Sequence, residues 1–454
     1  MRRSMPSTRS LATSSNVRAA DAIGGVPGYY AAMTNRLIAI ICWLVIAACT
    51  LTVVITTFAA KRQRDPATRD DFQHVLQARY AVGLKTFFGP MLVPRDQLMS
   101  TFDKVATTPE TQVRAAIMAG ELLDTEEALS RLARVEPLPE VRALTVFYHT
   151  DTPTPEQLST IRDDHGWFGD LAASRHDAAL RQHVESQGRR TAIGLLAVVF
   201  YALGVFTVGC VLAVITIVML VKKRLQSAMP VSAPATTAYL EAFTIYLVIM
   251  VGGSVILRAV KAPVAASIVV MALAFFASLF WPKFRGQTWG DWRTALGLTA
   301  GRGVIREILA GLGGYLATAP LLAIAFTITL ALTRIMKTDA NHPIVEHFQQ
   351  TNTVGILMLL FAAVVYAPLT EEILFRGAFY GHLRQRLRPF ISAAIVSIVF
   401  AAIHPQGLAG IPPLAALAFS FALIREWRGS LIGPVFAHAL NNGVATVVIL
   451  LLLR

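Results

Sequence analysis

The residues from Thr370 to Tyr380 read TEEILFRGAFY, and they set two adjacent carboxylates, Glu371 and Glu372, behind an apolar run from Val354 to Leu369. That run is long enough to enter a membrane, so the acids lie at or inside its edge. An acidic residue at mid-membrane costs roughly 2.5–3.5 kcal/mol on insertion scales. Two in a row need a compensating reason. Arg376, four residues after Glu372, offers one through an ion pair on the helix face. On a regular helix Glu371 points about 100° away from Glu372 and has no partner of its own.

Further polar residues interrupt the apolar C-terminal third. His404 ends the run SIVFAAIH, one helical turn after Phe400, and the last apolar run carries His438, Asn441 and Asn442 in AHALNN. His438 and Asn442 are spaced i, i+4 and share a helix face. A lone buried histidine is more often a satisfied core residue than a ligand. A Glu pair, an Arg, two His and an Asn on three separate spans fit a shared polar site better, because intramembrane ionisable groups face cavities or one another. Carboxylate and imidazole together can take a proton from water, or hold a divalent metal that lowers the pKa of bound water. An amide and a second imidazole can donate to an oxyanion. No serine sits in a nucleophile elbow, and Cys42, Cys49 and Cys210 lie elsewhere, in apolar runs. The two histidines are too far apart in sequence for an HExxH zinc helix. Water-mediated hydrolysis of an amide is the reaction this set suits.

The elements that must carry these residues are membrane helices. Of 454 residues 54% are hydrophobic and only 15% charged, against about 25% charged in soluble domains. The net charge of +13 is first explained by Lys and Arg in cytoplasmic loops, with nucleic acid the weaker reading. The cysteines support neither a disulfide framework nor a cysteine-based zinc site. Residues 1–36 read as a cytoplasmic tail broken by Gly24, Gly25, Pro27 and Gly28. Residues 37–60 have the length of a bilayer anchor, and they start too late and run too long for a signal peptide. Residues 61–190 differ: they hold 17 Lys and Arg against 19 Asp and Glu, net −2, which leaves the rest of the chain at +15. They read as a soluble helical insert, with helix starts at Thr108-Pro109-Glu110 and Thr154-Pro155-Glu156. Its histidines, His74, His149, His165, His176 and His183, show no ligand spacing. Residues 191–237 then form a second span and a basic loop, and 238–454 a membrane module. Spans are expected at about 192–221, 238–257, 264–281, 308–336, 354–370, 390–404, 412–424 and 431–453, nine with the anchor. Basic clusters such as Lys222-Lys223-Arg224 fall in alternate loops. That pattern puts the N-terminus in the cytoplasm and the insert outside. The fold class is therefore all-α: a polytopic transmembrane bundle of about nine spans with a helical insert between the first two.

Three motifs, Glu371-Glu372-x-x-x-Arg376, Phe400-x-x-x-His404 and His438-x-x-x-Asn442, resemble those of the CPBP family, in order and with intact spacing. That family includes the type II CAAX prenyl endopeptidases and the bacterial Abi and bacteriocin-immunity proteins. The resemblance covers about 354–453 and implies an all-helical intramembrane protease of a bacterial cytoplasmic membrane. Glu371 and His404 would activate water, and His438 and Asn442 would stabilise the oxyanion. Alternatively Glu371, His404 and His438 would hold a divalent metal such as zinc. Glu372 and Arg376 would support the site. The substrate would be a membrane-associated protein or peptide, and no nucleic acid partner is implied. Three rivals remain. One is a non-proteolytic member acting in immunity or scaffolding. A transporter is disfavoured because only one polar cluster is present. A purely structural membrane protein would not need the three motifs.

Overall fold

A computed structural model describes residues 14–62, 67–89, 94–229, 236–336 and 353–453. Among them there are helices and no strands. The expected tail falls partly outside the described residues, at 1–13. From Ser14 the backbone is helical to Arg62 (α1), straight through the expected break at Gly24, Gly25, Pro27 and Gly28. Alanines on either side, Ala19, Ala20, Ala31 and Ala32, favour the helix locally. Its apolar part, Met33–Ala59, is the first of eight described helices long and apolar enough to cross a membrane. The chain is an integral, multi-pass membrane protein.

The helices group into two compact units. The second unit is chiefly Arg62–Thr207. It holds α2 (Ala67–Phe88), α3 (Arg95–Val105), α4 (Pro109–Leu122), α5 (Thr125–Leu132), α6 (Pro139–His149), α7 (Pro155–Ala173) and the first part of α8 (Ala178–Val221). Both expected helix starts are built as read. Thr108 and Thr154 each cap their helix in a reciprocal capping box, followed by proline. The unit has its own core, in which Val113, Ile117, Leu122, Leu144, Phe147, Phe168 and Leu171 are all but fully buried. Gly83 and Gly188 let α2 and α8 touch backbone to backbone, since a Cβ on Gly83 would lie 2.0 Å from the Gly188 carbonyl oxygen.

The first unit holds α1 up to Lys61, α8 from Val208, and the helices that follow as far as Gly443. These are α9 (Ala238–Ala259), α10 (Val264–Phe284), α11 (Trp289–Leu296), α12 (Val304–Ala317), α13 (Ala319–Met336), α14 (Thr353–Arg384), α15 (Pro389–Ala402), α16 (Ile411–Arg428) and α17 (Ile432–Leu453). Two departures from the expected spans have simple causes. The run 308–336 is two helices, α12 and α13, meeting at Thr318. The run 390–404 is a helix of 14 residues, about 21 Å long, short of the roughly 30 Å of bilayer hydrocarbon.

Three contacts fix the helices that carry the polar residues. Gly311 of α12 and Gly433 of α17 cross so closely that a Cβ on Gly311 would meet the Gly433 carbonyl oxygen at 2.4 Å, a small-residue crossing typical of membrane helices. Arg428, ending α16, donates from Nε and Nη2 to both oxygens of Glu307 on α12, each at 2.8 Å. Arg384, ending α14, does the same to Glu426 of α16 at 2.8 Å, and Tyr380 Oη adds a third bond to that carboxylate. Bidentate pairs of this kind fix orientation as well as distance. Arg425 lies buried against Gly297, whose left-handed backbone (φ +78°) and missing Cβ make the room.

Candidate active site

α14 is not a uniform helix. It runs as α-helix over Thr353–Phe361, widens to a π turn at Ala362–Tyr366, returns to α at Ala367–Glu371, and widens again over Glu372–Phe379. Turns of this type inside α-helices cluster at functional sites. The first has a legible cause. The Ala367 amide donates to the Ala362 carbonyl, five residues back. In that register the next amide would serve Ala363, but the next residue is Pro368, which has none. Asn442 of α17 fills the gap, donating from Nδ2 to the Ala363 carbonyl at 2.9 Å.

The second π turn begins at the acid pair. Glu372 has a second partner besides Arg376. Glu372 Oε1 accepts from Arg376 Nη1 at 2.9 Å and also from His438 Nδ1 at 2.8 Å. Glu371 reaches the other side of the same ring, its Oε2 lying 3.8 Å from His438 Nε2. His404 approaches from the end of α15, Nε2 to Glu371 Oε2 at 3.9 Å. The two carboxylates thus address both nitrogens of one imidazole.

Arg376 is wholly buried with Glu372. Its Nη2 donates to the Ala418 carbonyl at 3.1 Å, and the guanidinium lies over Phe400 at 4.8 Å and near Phe421 at 5.4 Å. One cation therefore ties α14 to α15 and α16 while offsetting the charge of Glu372. His404 follows the last turn of α15, and its Nδ1 sits 2.5 Å from the Phe400 carbonyl oxygen. That carbonyl is one of those a helix end leaves unpaired.

These bonds define the tautomers. A carbonyl and a carboxylate can only accept, so Nδ1 carries the hydrogen in both histidines. Both rings turn Nε2 toward Glu371 Oε2, which is buried and makes no hydrogen bond to the described residues. A point faced by these three atoms suits a water molecule or a cation. Two imidazoles and a carboxylate are the donor chemistry of zinc, but ligands at about 2.0–2.2 Å from one ion lie about 3.3–3.5 Å apart. The separations of 3.8 and 3.9 Å are wider. Among the described residues no group of three such side chains is close enough to hold a metal. Glu371 and His404 each keep 20% of the side chain exposed, whereas Glu372 is sealed, so the reacting face is reached past Glu371 and His404.

Of the six residues singled out in the sequence, Glu371, Glu372, Arg376, His404 and His438 form one connected cluster. Asn442 is placed on a backbone carbonyl of α14. The sequence reading missed Glu307, Glu426, Arg425 and Arg428, which lock the surrounding helices. The signal available was the charged REWR end of α16, directly after an apolar run.

The comparisons with known proteins point to the same region. Residues 353–444 match a family model described as type II CAAX prenyl endopeptidase Rce1-like. A Bacillus subtilis (strain 168) protein described as "Putative membrane peptidase YdiL" is 30% identical over 86 residues, which is 19% of this chain and 34% of that relative. The chain thus matches about a third of the length of this curated relative. No solved structure matches the chain. Motif order and family match agree that residues 353–444 are similar to the Rce1-like type II CAAX prenyl endopeptidases.

Proposed function

We propose that the chain is an intramembrane endopeptidase that hydrolyses a peptide bond of a membrane-associated protein or peptide with water activated by Glu371. The observation that carries this reading is the convergence of His404 Nε2 and His438 Nε2, from two helices, on Glu371 Oε2 of a third. Water held there gives one proton to Glu371, oriented by His404. The hydroxyl adds to the peptide carbonyl. His438 in its protonated form donates Nε2–H to the oxyanion, its ring held by Glu372. Glu371 returns the proton to the leaving nitrogen as the C–N bond breaks, giving one amine and one carboxylic acid. Asn442 acts through the backbone of α14. The insert at 61–190 lies outside the cytoplasm and positions a partner.

A divalent ion held by Glu371, His404 and His438 is the second reading. The donor types favour it and the separations weigh against it. The deciding experiment reconstitutes purified chain in vesicles with membrane-anchored peptides in ¹⁸O-water. Fragments whose new C-terminus carries ¹⁸O, absent with Glu371→Gln, support the proposal. Loss of those fragments on chelation, restored by zinc, selects the metal reading. Identical membrane-protein fragments in cells making wild-type or Glu371→Gln protein would favour the non-proteolytic alternative in immunity or scaffolding.

A further inference from the structure

Away from the acid–histidine cluster, the first unit holds an open cavity of about 500 Å³ between α8, α12, the start of α15 and α16. Its walls are almost wholly apolar and include Ile215, Met219, Leu309, Phe390, Phe419 and Leu423. Several wall residues are well exposed, among them Ile215 (48%) and Leu309 (59%), so the groove opens toward the lipid. Its depth comes from α12, where Gly313, Gly314 and Ala317 line it. Gly313 is decisive: a Cβ built on it meets no atom within 4 Å, so the missing side chain leaves open groove.

One end of the groove is polar. Leu225, Gln226 and Ser227 line it there, directly after Lys222, Lys223 and Arg224, and Pro389 lines it directly after Arg388. These four basic residues are exposed. Glu426, which also borders the groove, has both oxygens occupied by Arg384. The exposed charge that adjoins this end in sequence is therefore positive, while the body of the groove is mainly apolar, broken by Thr216, Thr318 and Ser420. An apolar chain in the body with an anionic head at the basic end matches both halves. Basic pockets between membrane helices select anionic headgroups in this way.

We propose that this groove is a binding site for one anionic phospholipid, with an acyl chain along α12 and the phosphate beside Lys222–Arg224 and Arg388. The site shares no residue with the peptidase cluster, so it stands or falls independently of that assignment. A lipid here would brace α8, from Val208 onward, against α16, which carries Glu426 and Arg428.

The test uses the full chain purified into nanodiscs containing equal amounts of phosphatidylglycerol and phosphatidylcholine with identical acyl chains. Lipid retained after transfer to detergent is measured by native mass spectrometry. Wild type should retain phosphatidylglycerol over phosphatidylcholine by about fivefold or more, the effect of roughly one basic residue near a headgroup. The variant Lys222→Gln/Lys223→Gln/Arg224→Gln, altered only at exposed positions, should lose that preference. Gly313→Leu keeps every charge but fills the groove, and should lose the retained lipid while melting like wild type. An unchanged preference in the triple variant overturns the headgroup assignment. Full retention by a folded Gly313→Leu variant shows surface attraction only and overturns the site. If Gly313→Leu does not fold, Thr216→Leu on the opposite wall is read in the same way.

Discussion

Glu372 Oε1 joins Arg376 Nη1 to His438 Nδ1, at 2.9 and 2.8 Å, with Glu372 and Arg376 wholly shielded from solvent. The carboxylate therefore serves a structural cation on its own helix and a chemical imidazole on another. Removing one member of a buried pair strands the other, at about 3–5 kcal/mol. Glu372→Gln and Arg376→Ala should each reduce folded yield and melting temperature. The double variant Glu372→Gln/Arg376→Met should recover most of the stability and none of the hydrolysis. Recovery of both would mean that His438 does not need its carboxylate.

Glu371 differs in that its buried Oε2 makes no hydrogen bond to the described residues, whereas Glu372 is tied through Oε1 to Arg376 and His438. Glu371→Gln should leave the melting temperature nearly unchanged and lower turnover of a verified peptide by about 10² to 10⁴-fold. His404→Ala should follow it in activity. Full turnover by Glu371→Gln would end the mechanism proposed here.

Asn442 separates two roles cleanly. If it serves α14, it does so by supplying the hydrogen bond that Pro368 withholds from Ala363. Asn442→Ala should then cost about 1–3 kcal/mol, the penalty of an unpaired buried carbonyl. Pro368→Ala restores an amide at that place, so Pro368→Ala/Asn442→Ala should regain stability and activity together. A stable double variant still slowed by about 10²–10³-fold would instead assign Asn442 to the oxyanion.

In the second unit, Glu121 is buried and takes Arg181 through both oxygens, at 2.6 and 2.8 Å, with Lys85 Nζ at 2.8 Å. Burial pushes its carboxyl up, but the two cations outweigh burial and hold it below the usual carboxylate value of 4.5. The unfolded chain then binds the proton more readily than the folded one. The contribution is present above the unfolded pKa and is lost as pH falls through the lower folded value. A protein comprising residues 62–190 should show a helical circular dichroism spectrum and a cooperative melt. Its melting temperature should drop on acidification below about pH 4.5, and the Glu121→Gln variant should show a flatter profile. A disordered spectrum would deny the insert a fold of its own.

Orientation is tested with single cysteines at the half-buried Gln157 and the exposed Ser227 and an impermeant thiol reagent. On the alternating Lys and Arg bias, Gln157→Cys should label from outside intact cells and Ser227→Cys only after lysis. Equal labelling from outside would overturn that orientation. The native thiols at Cys42, Cys49 and Cys210 lie in the apolar helices α1 and α8, away from the reagent.

Composition and hydrophobic runs made the membrane helices legible, and the Thr-Pro signals gave two insert helices with their caps. The spacing of Glu372 and Arg376 revealed their pair, because an i, i+4 contact is local. The His438 bond to Glu372 was hidden, because it joins residues 66 apart on different helices. Pro368 was visible in the sequence, but the identity of its substitute donor was not. The carboxylates Glu307 and Glu426 looked like ordinary loop-edge charges, since their arginines come from other helices. The break at Thr318 was masked by apolar residues on both sides.

The wide turn at Glu372–Phe379 makes the site and its register inseparable. A π turn amounts to an α-helix carrying one residue too many. Deleting a single residue there would relax the turn into ordinary α geometry, with every hydrogen bond still available to the backbone. Because the wide turn absorbs the extra residue, the flanking helix would keep its faces, while side chains within the turn, Glu372 and Arg376 among them, would shift against His438, α15 and α16. A one-codon loss could thus yield a sibling that still inserts, packs and spans the bilayer while its chemistry is switched off. Chemical silence would then leave no missing residue among the acids and histidines, only a change in their count along one helix.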